Sequence, residues 1–116
     1  EFPVHQWQQW ASPVWMDIEQ GNVLNARMAK DERDERHLCP LQLDLIERAI
    51  RLWSNPGDIV LSPFMGIGSE GWGAMRCKRR FVGFELKEAY FRQAVKNLTN
   101  ISDATFAGDL LSGAAA

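Results

Sequence analysis

The chain has 116 residues, 46% hydrophobic and 24% charged, with a formal net charge of −2. That is globular composition for one domain or part of one, and it excludes a protein that holds nucleic acid by overall charge. Cys39 and Cys77 lack metal-ligand spacing, no apolar run is long enough for a bilayer and no signal-peptide pattern opens the chain, so the expectation is cytoplasmic, without metal or membrane.

Residues 1–18 are rich in aromatics, with Phe2, Trp7, Trp10 and Trp15, and residues 14–18 have the composition of a short strand. Residues 19–36 turn polar and end in Asp31-Glu32-Arg33-Asp34-Glu35-Arg36, a solvated helix face or a loop. From Leu41 onward, Leu45, Ile46, Ala49, Ile50 and Trp53 recur at three- and four-residue spacing, which predicts a helix over 41–53. Asn55-Pro56-Gly57 stops that helix. An apolar strand over 58–62 follows, then a helix over 69–76 whose small residues Gly71, Gly73 and Ala74 let it approach a sheet closely. A second strand spans 81–85, and a last helix over 87–99 carries Tyr90, Phe91, Ala94, Val95 and Leu98 on one stripe. Past Asn100 there is only a weak apolar patch at Thr105-Phe106 and a tail.

Helix, strand, helix, strand, helix is the rhythm of a parallel sheet with crossover helices. The predicted fold is therefore α/β, a Rossmann-like three-layer parallel sheet, here an incomplete domain. Residues 1–36 form the lead-in, 37–100 the core and 101–116 the tail. The expected core includes Leu45, Ile46, Ile50, Phe91, Ala94 and Val95.

The most informative stretch is Ser62-Pro63-Phe64-Met65-Gly66-Ile67-Gly68-Ser69-Glu70-Gly71. A strand that ends in close glycines and re-enters as a helix can cradle a ligand on backbone N–H groups. In parallel sheets ligands sit beyond the carboxyl ends of the strands, and Glu85 stands at the second such end. A carboxylate there suits the two hydroxyls of a ribose.

These residues resemble the C-terminal half of the S-adenosylmethionine-dependent DNA amino-methyltransferases, which methylate adenine N6 or cytosine N4. The resemblance rests on His37-Leu38-Cys39-Pro40-Leu41, on residues 55–69, and on Phe81-Val82-Gly83-Phe84-Glu85-Leu86 with Tyr90 and Ala94. It covers about residues 14–98 and is closest to the subclass whose cofactor motifs come last, including phage site-specific and restriction-modification methylases. It implies S-adenosyl-L-methionine as cofactor and DNA as partner. It also implies that His37 and Pro40 close over the methionine part, and that Pro63, Phe64, Gly66, Gly68 and Ser69 form the cofactor loop. Phe64 then packs on the cofactor and Glu85 holds the ribose. Ser62 stands where the family usually has Asp, which implies the loss of one charged contact to the donor's ammonium group, and Cys39 stands where the family usually has Lys.

The family holds the target amine with an Asp, Asn or Ser, two prolines and an aromatic. Ser12-Pro13-Val14-Trp15 matches only in part, since Val14 replaces the second proline, and only 21 residues lie between Trp15 and His37. Ser12, Pro13 and Trp15 are therefore a weak catalytic candidate. The better reading of 14–18 is the family's Trp-containing strand before the His-Pro motif. The chain, which begins at Glu1 and ends in three alanines, is expected to be the cofactor-binding half, with the catalytic segment and most of the DNA contact upstream. Self-association through a sheet edge or the tryptophan-rich segment, or pairing with a complementing chain, is expected.

Two other readings compete. Gly66-x-Gly68-x-x-Gly71 also fits a nicotinamide- or flavin-dinucleotide domain, but Pro63-Phe64 sits awkwardly before a pyrophosphate turn and Glu85 falls only 14 residues after Gly71. Exposed tryptophans among Trp7, Trp10 and Trp15 would suit a non-enzymatic interaction module. Lys78-Arg79-Arg80 reads as a solvated turn.

Overall fold

The computed structural model describes residues 2–24 and 40–113, with side chains through residue 101. Six elements follow in order: α1 (Val4–Trp10), α2 (Leu43–Trp53), β1 (Ile59–Ser62), α3 (Ser69–Arg76), β2 (Arg80–Gly83) and α4 (Glu88–Gly113). The strands pair in parallel, with Ile59 opposite Arg80 and Ser62 opposite Gly83, and α3 is the crossover between them.

Helix α2 carries Asp44 in its first turn and Arg51 in its last, each the sign that its end of the helix dipole favours. It stops where Ser54 turns extended and Gly57 takes a φ of 89°. Leu43, Ile46 and Ile50 face inward and form the core with Ala74 and Cys77, joined by the half-buried Val60, Trp72 and Phe81. Close packing depends on glycines in α3. A Cβ on Gly73 would stand 2.6 Å from Ile46 Cγ2, and one on Gly71 2.7 Å from the Phe81 ring. Helix α3 thus packs on both strands, on α2 and on α4.

Register puts Val60, Ser62, Phe81 and Gly83 on the face toward α3. The opposite face is apolar and open: Ile59 is 56% exposed, Leu61 62%, Val82 45% and the following Phe84 60%. Parallel sheets are normally covered on both faces, so this pair carries one helical layer of the expected two. The architecture is an incomplete Rossmann-like α/β unit.

Several expectations need correction. Residues 14–18 form no strand, because no neighbouring strand lies beside them among the described residues, and Trp15 Nε1 instead donates to the Trp10 carbonyl at 2.9 Å. Leu45 is half-buried rather than core, and Trp53 is 77% exposed at the end of α2. On α4, Phe91 and Val95 are exposed while Gln93, Ala94 and Ile101 are buried. The cause is that α4 meets α3 rather than a further layer, and Ala94 Cβ lies 3.3 Å from where a Cβ on Gly68 would stand. That helix also runs on to Gly113, beyond the expected end near 99 and through the Thr105-Phe106 patch.

Candidate functional site

Strand β1 delivers Ser62, buried, to the carboxyl end of the sheet, and Pro63-Phe64 turn the chain outward. Gly66 and Gly68 then take φ values of 53° and 91°, left-handed conformations that glycine adopts without Cβ strain. Gly68 is the N-cap of α3 with no side-chain cap, so its first amides are left to the backbone turn or to a ligand. Met65 and Ile67 plug the underside of the turn at 5% and 2% exposure, while the Phe64 ring stands out at 85%.

The carboxylate of Glu85 closes the turn from the other strand. Its Oε2 accepts from the Gly66 amide at 3.0 Å and its Oε1 from the Lys87 amide at 2.8 Å. Each oxygen keeps a lone pair free, so this acid can hold the loop and still accept two hydroxyls. Backbone bonds from Met65 N to Phe84 O and from Phe84 N to Ser62 O, both 3.0 Å, keep the two strand ends level. Burial pushes the Glu70 carboxyl, at the start of α3, above its ordinary range.

Ser62, Pro63, Phe64, Gly66, Gly68, Ser69 and Glu85 therefore share one end of the sheet, as the sequence reading expected. Pro40 lies just before α2, half-buried, and His37 and Cys39 fall outside the described residues. Ser12, Pro13 and Trp15 belong to the N-terminal segment. There the Ser12 hydroxyl accepts from Val14 N at 3.4 Å, and the Trp15 ring is taken by the Arg48 guanidinium, 4.9 Å from its centroid.

Two residues escaped the sequence reading. Asn97 Nδ2 donates to the Ile67 carbonyl at 2.9 Å, and Gln93 Nε2 donates to Asn97 Oδ1 at 2.9 Å, so α4 braces the glycine turn from behind. Their i, i+4 spacing on α4 was visible, but nothing in it pointed to a loop thirty residues earlier.

A Cβ built on Gly66 would meet nothing within 4 Å, in contrast to the crowding at Gly71 and Gly73. The described cavities of about 370 and 330 Å³ lie elsewhere, one before the strands and one beside α2.

Comparison with known proteins gives the family. A DNA methylase family model matches residues 3–96. This chain belongs to the DNA methylase family. Over 58 residues it is 45% identical to the type II methyltransferase M1.MboII of Moraxella bovis, covering 50% of this chain and 22% of that protein. Over 80 residues it is 36% identical to the DNA adenine methyltransferase YhdJ of Escherichia coli K12, covering 67% of this chain and 27% of the relative. Among solved structures, the S-adenosyl-L-methionine complex of a DNA modification methylase from Thermus thermophilus superposes with a TM-score of 0.65 at 28% identity, over 85% of this chain and 34% of that one. The M1.HpyAVI–SAM complex gives 0.51 at 38% identity, over 56% and 32%. The methylase chain thus spans about a quarter of the length of the curated relatives it matches. No helix among the described residues is long and apolar enough to cross a membrane.

Proposed function

We propose that this chain is the S-adenosyl-L-methionine-binding part of a DNA amino-methyltransferase acting on adenine N6 or cytosine N4. The observation that carries the reading is Glu85, whose carboxylate spans the Gly66 and Lys87 amides beside open space at the glycine turn. The S-adenosyl-L-methionine complexes of two structural neighbours support the choice of cofactor. Bound there, the cofactor supplies an electrophilic methyl group.

In this reading the chain's residues bind and orient. Glu85 accepts the ribose hydroxyls, Phe64 lies against the adenine, and Ser69 with the α3 amides receives the donor's carboxylate. Pro40 and His37 close the methionine side, and Ser62 lines the floor without the charge that an aspartate would give. Ser12, Pro13 and Trp15 take no catalytic part in this reading, because Val14 stands where the motif has its second proline and the Arg48 guanidinium already lies over the Trp15 ring.

Alone, these 116 residues transfer no methyl group at a useful rate. Transfer needs the target amine aligned with the methyl group, and among the described residues no group both accepts from that amine and stacks on the base. The remaining polypeptide, in the same chain or as a partner, covers the open face of Ile59, Leu61, Val82 and Phe84 and brings most of the DNA contact.

Calorimetry with S-adenosyl-L-methionine, its demethylated product and NAD tests the cofactor, and a tritiated-methyl assay on mixed-sequence duplex DNA tests the rest. Binding of the first two without NAD, and no incorporation until the complementary polypeptide is added, is the expected pattern. Binding of NAD alone would overturn the reading, and robust incorporation lost on Ser12→Ala would identify Ser12 as catalytic.

A further inference from the structure

A second site lies at the opposite end of the sheet from the glycine turn. The segments that enter the two parallel strands, residues 54–56 and 76–79, stand side by side there and line a cavity of about 370 Å³. Arg51, Arg76, Lys78 and Arg79 line it, and no acid does, in a chain whose net charge is −2. In sequence Lys78-Arg79-Arg80 looked like a solvated turn. The fold adds Arg51 from α2 and Arg76 from α3 to make a concave cationic surface.

The four cations are not equivalent. Arg79 is spent on structure, with Nε donating to Ser54 Oγ at 3.0 Å and its terminal nitrogens to the carbonyls of Ser54 and Cys77. Arg51 and Arg76 share one counterion, Glu47, at 4.0 and 3.5 Å, and both side chains are about half exposed. Lys78 has no ion pair among the described residues, and Asp58, next to the Gly57 whose amide donates to the Lys78 carbonyl, has Oδ2 on the Asn55 amide.

Lys78 also carries an independent sign. It is the only non-glycine among the described residues with positive φ, at 61°. It follows the C-cap Cys77 of α3, a position where glycine is the usual residue because a Cβ is strained there. The Cβ of Lys78 is strained there while the C-terminal end of the α3 dipole favours its charge, and the residue lines a cavity that no acid lines.

We propose that this cavity binds a phosphate group, with Arg51, Arg76 and Lys78 as the charged donors and Asn55 on the rim. Three cations, one from α2 and two from the end of α3, around a hollow that no acid lines and with only Glu47 as a shared counterion, suit an anion with several acceptor oxygens. The group is either a phosphodiester of a nucleic acid backbone or a free phosphate compound. Both present the same oxygens to the site.

Lys78→Gly separates ligand binding from stability. It removes both the charge and the strain, so the melting temperature of the chain holds or rises. Duplex DNA followed by anisotropy at low salt is expected to bind roughly three- to tenfold more weakly, with a salt slope smaller by about one. Arg51→Gln shifts both in the same direction. Pyrophosphate titrated against the same variants is the second arm: competition with DNA assigns a backbone phosphate, and variant-sensitive pyrophosphate binding without DNA binding assigns a free compound. S-adenosyl-L-methionine affinity stays unchanged in both variants, which keeps this test apart from the cofactor reading. Equal DNA and pyrophosphate binding by the wild-type chain and Lys78→Gly, or none by either, overturns the proposal.

Discussion

Glu85 and Gly66 stand nineteen residues apart and meet at 3.0 Å, carboxylate oxygen to backbone amide, across the ends of two parallel strands. The same acid that would hold a ribose thus also sets the shape of the loop that would hold the rest of the cofactor. Glu85→Ala is expected to weaken S-adenosyl-L-methionine binding by about 1.5–3 kcal/mol, the scale of charge-assisted hydrogen bonds. Glu85→Gln keeps one acceptor oxygen and should fall between. Calorimetry that finds all three proteins equal would remove Glu85 from the site.

Helix α3 approaches α2 closely only because residue 73 lacks a side chain. Gly73→Ala improves helix propensity by about 1 kcal/mol but forces a methyl to 2.6 Å from Ile46 Cγ2, and overpacking costs about 1–3 kcal/mol. The net expectation is a less stable chain, read as a lower urea midpoint. A midpoint equal to or above the wild type would show that α2 and α3 are not packed this tightly.

Arg48 is buried between Trp10 and Trp15 and pairs with both oxygens of Asp17, at 2.9 and 2.7 Å. Hydrogen bonds from Arg48 hold the Asp17 carboxyl below its ordinary range. An acid with a depressed folded-state pKa contributes stability above its unfolded value, near pH 3.9, and loses it as pH falls through the folded value. Arg48→Met should therefore melt lower than wild type at neutral pH, and the gap should close in strong acid. A gap that stays constant from pH 7 to pH 2 would mean that the pair contributes packing alone.

The open sheet face supplies a further test. Leu61→Lys with Val82→Lys replaces two exposed apolar side chains without touching the face against α3. Sedimentation should show concentration-dependent association of the wild type and little in the double variant, at similar melting temperatures. Unchanged association would move the contact to the sheet edge or to the tryptophan-rich segment.

Much of this protein was legible before any coordinates. The periods of Ile46 and Ile50, the glycine turn after β1 and the acid after β2 are local patterns, and locality is what a sequence displays. The stripe on α4 was misread because Phe91 and Val95 are apolar at helical spacing, yet burial depends on whether anything lies opposite, and here nothing does among the described residues. Residues 14–18 failed as a strand for a related reason, since strand composition needs a neighbour with which to pair.

By itself, then, the order of residues determined the βαβ unit, its parallel sense and the cluster from Ser62 to Glu85, because short-range periodicity and turn chemistry admit few alternatives. Only the tertiary structure decided that Asn97 would brace the Ile67 carbonyl, that Arg48 would sit between two tryptophans, and that Arg51 and Arg76 would join Lys78 around one cavity. Those contacts join residues from separate segments. Their energy depends on distance and direction in space, which no spacing along the chain encodes.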